Sequence, residues 1–319
     1  MGRLEQIPGE TVEAKAAHLT HFRADAIVGD CELLREHLGV EQWSLLGQSF
    51  GGFTSLTYLS TSPQSLASVH LTGGLAAVGV PADEVYATTY VTMQAKCERY
   101  YDRFHGDRDR LRAALDLARV GELRLPDGDV LTPRLLRSIG GVLGRDGGQD
   151  KLHHLLELDP TSPGFSHDVA ALQPFHSRNP IYTFLHESSC ADGGRTRWAA
   201  DRVRPAAYDD DETLLLGEHI APWHFEDRSG LRQYAELAEV LAEHDWPRLY
   251  DEAALRRADV PVAAAVYYDD AFVDRELSLA TAALLPRVHT WITNEYGHSG
   301  LRTSGERVLE RLIGIAREL

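Results

Sequence analysis

The stretch Trp43-Ser44-Leu45-Leu46-Gly47-Gln48-Ser49-Phe50-Gly51-Gly52 carries the strongest structural signal in this chain of 319 residues. The apolar segment from Gln42 to Leu46 predicts a short strand, and Phe53 to Leu59 predicts a helix. The glycine-rich residues between them predict a sharp turn. Upstream, apolar residues at helical spacing from Ala24 to Leu38, followed by Gly39, predict an amphipathic helix. The local order is therefore helix, strand, sharp turn, helix.

The turn itself has a pattern that points to chemistry. Gly47-x-Ser49-x-Gly51 between a strand and a helix is the pattern of a nucleophile elbow, a turn so tight that small residues must flank the serine. The serine hydroxyl is then forced outward. The same geometry directs the backbone N–H of Phe50 and the N-terminus of the helix at the space where negative charge develops during acyl transfer. We therefore expect Ser49 to be a nucleophile and Phe50 to supply an oxyanion donor.

Further strands continue the alternation of strands with helices. Ala67 to Leu71, Val260 to Tyr268 and Val288 to Thr293 each predict a strand, and Glu306 to Leu319 predicts a closing amphipathic helix. Pro261 stands at a strand start, where a missing N–H is tolerated. This alternation predicts an α/β fold with a parallel sheet.

The middle of the chain has a different pattern. Polar helical segments such as Glu98 to Ala118 and Leu231 to Glu243 alternate there with loops rich in glycine and proline, and no clear pair of strands is predicted. We therefore expect a helical lid at residues 75–250. It would be inserted between a first part of the core at residues 1–74, with the elbow, and a second part at 251–319.

A serine nucleophile needs a base and an acid, which follow it in the order Ser, Asp, His in this kind of site. His298 lies in the predicted loop after the last strand, and its glycine neighbours leave room for the ring to turn toward Ser49. The acid is expected just after the preceding strand, where its carboxylate can accept the imidazole N–H. Asp269, Asp270 and Asp274 all fit that position, and Asp270 fits it best.

Composition excludes several other classes of protein. The formal net charge of -16 disfavours non-specific attraction to nucleic acid or to anionic membranes, so neither partner is expected. Cys31, Cys97 and Cys190 are odd in number and lack metal-ligand spacing, which argues against both disulfide bonds and a zinc site. The first residues lack the apolar core of a signal peptide, and no segment has the apolar length of a membrane span. A cytoplasmic location is therefore expected.

Three segments resemble the proline iminopeptidases: Phe22-Arg23-Ala24-Asp25-Ala26-Ile27-Val28, the stretch from Trp43 to Gly52, and Thr72-Gly73-Gly74-Leu75. The turn sequence GQSFGG is the most specific of them, and the Tyr-Tyr-Asp-Asp segment at residues 267–270 is similar to the longer bacterial branch of that family. The resemblance implies an α/β-hydrolase fold with an inserted helical lid. It also implies a serine peptidase that releases N-terminal proline from peptides through an acyl-enzyme, without a metal or organic cofactor.

The resemblance also implies how the substrate amine is held. Members of the family bind the cationic secondary amine through glutamates of the lid. Glu187 and Glu218 match those acids by order and context, and Glu226 is an alternative. A carboxylate near an ammonium gains Coulomb energy that grows as the site loses water.

The chain departs from the family at its front. Family members carry further strands upstream, with a His-Gly-Gly-Pro-Gly loop that provides a second oxyanion donor, and this sequence has no such loop. The strand that ends at Gly47 would then form an exposed edge, with low solubility or self-association as the expected result. Loss of one oxyanion donor typically costs about 10²–10³ in rate. The alternatives are therefore another α/β hydrolase, such as an esterase or a different aminopeptidase, or a catalytically impaired truncated product. The oligomeric state is left open.

Overall fold

The computed structural model describes residues 3–319. The strands are β1 (Trp43–Gln48), β2 (Leu66–Thr72), β3 (Val262–Tyr267) and β4 (Val288–Thr293). The helices are α1 (Val12–Leu19), α2 (Ala24–His37), α3 (Phe50–Thr61), α4 (Ala82–Arg103), α5 (Asp107–Arg119), α6 (Pro133–Arg137), α7 (Gly148–Leu156), α8 (Pro163–Leu172), α9 (Pro180–Leu185), α10 (Ala199–Arg202), α11 (Ala207–Asp210), α12 (Trp223–Asp227), α13 (Ala235–Ala242), α14 (Glu252–Leu255), α15 (Arg275–Ala282), α16 (Gly300–Thr303) and α17 (Arg307–Glu318). Short 3-10 helices cover Leu4–Gln6, Pro63–Ser65, Ser138–Gly144, Glu187–Cys190 and Arg232–Tyr234.

The chain forms two compact units. The sheet unit comprises Ala16–Val85, Ser188–Thr196 and Glu243–Leu319, and it contains all four strands. The helical unit comprises the chain up to Lys15, Tyr86–Glu187 and Arg197–Ala242. The short segment at residues 188–196 therefore belongs to the sheet unit, although the chain on both sides of it belongs to the helical unit.

The four strands form one parallel sheet in the order β1-β2-β3-β4. β3 is buried along its whole length, as expected for a parallel strand covered on both faces. One face packs with α2 and α3 in a core that includes Val262, Ala264 and Val266. On the other face, Ala263 and Ala265 pack with α17. β1 lies at one edge of the sheet that residues 3–319 form, and the side chain of Leu46 is exposed there.

Two buried charged side chains join separate segments of the sheet unit. The Arg23 guanidinium donates to three backbone carbonyls, and its charge lies over the Trp246 ring. These carbonyls belong to Ser188, Ala191 and Pro247. The Asp192 carboxylate accepts backbone N–H groups of Gly79, Leu249 and Tyr250. Charged groups at buried positions need such partners, so these contacts hold the residues 188–192 against the rest of the sheet unit.

The predicted helix from Glu98 to Ala118 is wrong in one respect. The structure has two helices there, because α4 ends at Arg103 and α5 begins at Asp107. Gly106 lies between them and is a poor helix former. The Asp107 carboxylate is fully buried and binds the hydroxyl of Tyr100 and the ring of His153. Tyr100 is a local partner, whereas His153 lies 46 positions away along the chain.

None of the helices within residues 3–319 combines the length and the apolar character needed to cross a bilayer.

Candidate active site

The sharp turn brings Ser49 into a strained backbone conformation. Ser49 lies between the end of β1 and the start of α3, with φ of 55° and ψ of -122°. Such a conformation costs on the order of 1–3 kcal/mol and persists only where the surroundings enforce it. The Ser49 N–H donates to the carbonyl oxygen of Thr72 at 3.1 Å. A Cβ at Gly47 would lie 2.5 Å from the carbonyl oxygen of Gly51, so a side chain cannot fit there.

A second glycine contact holds the turn against the loop that follows β2. A Cβ added to Gly52 would lie 2.2 Å from the carbonyl oxygen of Gly74. Only two glycines allow the first turn of α3 to approach that loop so closely. The sequence shows both glycines but gives no sign that they touch.

His298 lies between Ser49 and Asp270. Its Nε2 is 2.9 Å from the Ser49 Oγ, and its Nδ1 is 2.8 Å from the Asp270 Oδ2. An ionised carboxylate only accepts hydrogen bonds, so Nδ1 carries the proton that is donated to Asp270. In the neutral ring, Nε2 is then the acceptor for the Ser49 hydroxyl. The Phe272 ring packs edge-on against the imidazole with centroids 4.8 Å apart.

Asp270 is the carboxylate that the structure brings to His298. It is 3% exposed, and its Oδ1 accepts the backbone N–H groups of Phe272 and Val273 at 2.9 and 3.1 Å. The alternative Asp274 instead caps α15 by accepting the N–H of Leu277. The two backbone donors fix the Asp270 carboxylate with one oxygen left toward the imidazole.

Phe50 is the first residue of α3. Its N–H is therefore one of the helix N-terminal donors that have no carbonyl partner within the helix, and the helix dipole adds positive potential there. This placement beside Ser49 is what an oxyanion donor requires.

Gly73 is a residue of the site that the sequence does not reveal. It has a positive φ of 50°, and a Cβ at this position would lie 3.1 Å from the Asp270 Oδ2, 3.1 Å from the His298 Nδ1 and 3.2 Å from the Tyr267 ring. A side chain would therefore press on the pair formed by the acid and the histidine. The Gly-Gly dipeptide after a strand indicates a turn, but only the fold shows what the turn faces.

The predicted amine-binding residue Glu187 lies in the helical unit and is buried. Its carboxylate accepts the backbone N–H of Trp198 at 2.9 Å and that of Ala200 at 3.3 Å. Trp198 has a positive φ of 57°, which is strained for a residue with a side chain. Glu187 thus supports an unusual turn at the start of α10.

Glu218 and Glu226 lie in the same unit and are more exposed. The Glu218 carboxylate is 3.5 Å from the Arg145 guanidinium, and its backbone carbonyl is hydrogen-bonded to the His186 ring. Burial lowers the pKa of His186, so this ring is neutral at pH 7. Glu226 forms an exposed ion pair with Arg134 at 3.0 Å.

The side chains of residues 3–319 include no group of three or more His, Cys, Asp or Glu that could hold a metal ion. Cys31, Cys97 and Cys190 are all free thiols.

Comparisons with known proteins identify a matching family and several similar proteins. Residues 7–122 match the family described as alpha/beta hydrolase fold. Over 316 residues the chain is 45% identical to a proline iminopeptidase of Aeromonas sobria, with 95% of this chain and 74% of that protein covered. It is 28% identical to a proline iminopeptidase of Aspergillus aculeatus, with 99% and 76% covered. The crystal structure of a Mycobacterium smegmatis proline iminopeptidase aligns with a TM-score of 0.42 at 13% identity, covering 97% of this chain and 75% of that one.

The parallel sheet with flanking helices, the sharp turn after β1 and the family match define an α/β hydrolase, which confirms the predicted fold class. Within that class, the chain belongs to the proline iminopeptidase family.

Proposed function

We propose that this protein is a serine peptidase that releases N-terminal proline from peptides through an acyl-enzyme on Ser49. The observation that carries the proposal is the hydrogen-bonded series from the Ser49 Oγ to the His298 ring to the Asp270 carboxylate. Membership of the proline iminopeptidase family supports the choice of substrate.

The geometry supports an acyl-transfer mechanism in two halves. In the first half, the Ser49 Oγ attacks the carbonyl carbon of the terminal proline while the His298 Nε2 takes the hydroxyl proton. The negative charge that forms on the carbonyl oxygen is stabilised by the N–H of Phe50. Collapse of this intermediate breaks the peptide bond, and His298 returns the proton to the leaving amine.

In the second half, water replaces the leaving amine. His298 accepts a proton from the water as it attacks the prolyl ester, and then protonates Ser49 as proline leaves. Asp270 keeps the imidazole in the required tautomer throughout and stabilises the imidazolium that forms in each half.

Selection of a free N-terminal proline is assigned to Glu187 and Glu218. The Glu187 carboxylate is buried, and the attraction between a carboxylate and an ammonium is stronger where water is excluded. Glu218 already lies near the guanidinium of Arg145, so an ammonium would share that carboxylate with an arginine. We therefore assign the larger part of amine recognition to Glu187.

We also propose a cytoplasmic location. Three free cysteines, two of them only partly buried, suit a compartment that keeps thiols reduced.

The test is a comparison of arylamide substrates that differ only in the amine. Wild-type protein is expected to release the aromatic amine from proline arylamide, and Ser49→Ala is expected to release none. N-acetyl-proline arylamide keeps the same scissile bond but lacks the cationic amine, and it should be a poor substrate. Equal turnover of the free and the acetylated substrate would refute the assigned specificity, and full activity of Ser49→Ala would refute the mechanism.

A further inference from the structure

Tyr267 is a buried residue at the end of β3 that the mechanism does not use. It is 1% exposed, and its hydroxyl shares a hydrogen bond with the Thr72 Oγ1. Thr72 is itself fully buried at the end of β2. The backbone carbonyl of the same Thr72 accepts the N–H of Ser49 at 3.1 Å. The phenol is therefore two hydrogen bonds away from the backbone of the strained serine.

The same side chain also packs against the loop that follows β2 and against the segment that carries the histidine. A Cβ at Gly73 would lie 3.2 Å from its ring, and a Cβ at Gly300 would lie 2.5 Å from its hydroxyl oxygen. Gly300 begins α16 two residues after His298, and its N–H donates to Gly297, which closes the turn around the histidine. The absence of side chains at both glycines lets the backbone on each side contact the phenol directly.

Tyr267 also begins the turn that presents the acid. Its carbonyl accepts the N–H of Asp270 at 3.4 Å, and it pairs with Thr293 at the end of β4, just before the histidine loop. Through its side chain and its backbone together, Tyr267 thus contacts or adjoins the segments that carry Ser49, Asp270 and His298.

We propose that Tyr267 is a positioning residue for the reaction, which keeps the elbow and the histidine loop at the spacing needed for proton transfer from Ser49 to His298. This inference rests on the proposed function. The spacing matters because a displacement of about 1 Å in a catalytic group can cost 10²-fold in rate. Loss of the hydroxyl removes the hydrogen bond to Thr72, the residue whose backbone carbonyl accepts the N–H of the strained Ser49.

The experiment measures the rate at which a fluorophosphonate labels Ser49. In this reaction the Ser49 Oγ forms a bond to phosphorus, fluoride leaves, and His298 takes the hydroxyl proton. Tyr267→Phe is expected to lower the labelling rate about tenfold, with a similar loss in kcat and little change in KM for an aryl ester. The control is Tyr268→Phe, the same chemical change one residue along, where the ring is 55% exposed and lies under Arg275. Its labelling rate should equal that of wild type.

A double variant separates positioning from stability. Tyr267→Phe and Thr72→Val each leave one buried hydroxyl without this partner, whereas the double variant removes both groups. Thermal unfolding of the double variant should therefore recover toward wild type, while its labelling rate should remain low. Recovery of stability and labelling together would overturn the proposal, as would wild-type labelling of Tyr267→Phe. If wild type and Ser49→Ala do not differ in labelling, the proposed function itself fails and this role fails with it.

Discussion

The position of Gly73 allows a sharp test of the site, because alanine there adds a single methyl group beside the acid and the histidine. The added Cβ would lie 3.1 Å from both the Asp270 Oδ2 and the His298 Nδ1. These distances are tighter than ordinary van der Waals contact, so the neighbouring atoms must shift by a few tenths of an ångström. Because a shift of about 1 Å can cost 10²-fold in rate, we expect kcat to fall several-fold to about tenfold.

The same substitution has a backbone cost that must be separated from the effect on the site. Gly73 has a φ of 50°, and a residue with a Cβ in the left-handed region costs about 1–2 kcal/mol. Gly39 has a φ of 66° at the end of α2, and a Cβ there would meet nothing within 4 Å. Gly39→Ala therefore carries the backbone cost alone and serves as the matched control.

The assay combines aryl ester turnover with denaturant unfolding of both variants. Both should lose about 1–2 kcal/mol of unfolding free energy, and only Gly73→Ala should lose kcat. Unchanged kcat in Gly73→Ala would refute the close contact on which the reasoning depends. An equal loss of kcat in both variants would assign the effect to stability instead.

Three further predictions concern the amine site, the buried His219 and the buried Arg23. Glu187→Gln should lower turnover of proline arylamide more than turnover of an uncharged aryl ester. It should also lose about 1–3 kcal/mol of unfolding free energy, because the glutamine amide must point its NH₂ group at one of the two backbone N–H groups or rearrange. Glu218→Gln should also lower turnover of proline arylamide more than turnover of the aryl ester. It should lose almost no stability, because the ion pair of Glu218 with Arg145 is part-exposed to solvent. Equal losses of turnover on both substrates would argue against amine recognition. Burial lowers the pKa of His219 to about 3, so the unfolded chain binds a proton there that the folded chain does not, and stability should decrease as the pH falls from about 6.5 toward 3. Unfolding free energies measured across this pH range should depend less steeply on pH in His219→Asn than in wild type, by the equivalent of up to one bound proton. An unchanged slope would contradict the assignment of this proton to His219. Arg23→Met should lose about 1–3 kcal/mol of unfolding free energy in chemical denaturation, because the three backbone carbonyls that its guanidinium binds lose their donor. Arg256→Met, at the exposed C-terminal end of α14, should lose less than about 0.5 kcal/mol.

The parts of the fold that could be predicted from sequence are those governed by local pattern. The strands and the closing helix follow from short apolar runs and from helical spacing, and the structure has β1 and β4 within two residues of the predicted positions. The serine turn could be predicted because its steric demands act within five residues, from Gly47 to Gly51. The helix break at residues 104–106 has a local signal in Gly106, but the contact of Asp107 with His153, 46 positions away, could not be predicted from local pattern.

The details of the site depend on contacts between distant segments. Sequence reasoning left Asp269, Asp270 and Asp274 as candidate acids, because all three lie in one turn whose path depends on the fold. The backbone N–H groups of Phe272 and Val273 fix which carboxylate meets His298. The contact between Thr72 and Tyr267 joins residues 195 positions apart, the contacts of Gly73 with Asp270 and His298 also join distant segments, and no local pattern reports them.

The role of Ser49 is the central claim, and covalent labelling followed by mass spectrometry tests it most directly. After treatment with a fluorophosphonate, wild-type protein should carry one adduct, and peptide mapping should locate it on Ser49. Ser49→Ala should carry none, and His298→Ala should be labelled far more slowly, because the hydroxyl loses the base that takes its proton. An adduct on another residue, or an equal adduct on Ser49→Ala, would contradict the account.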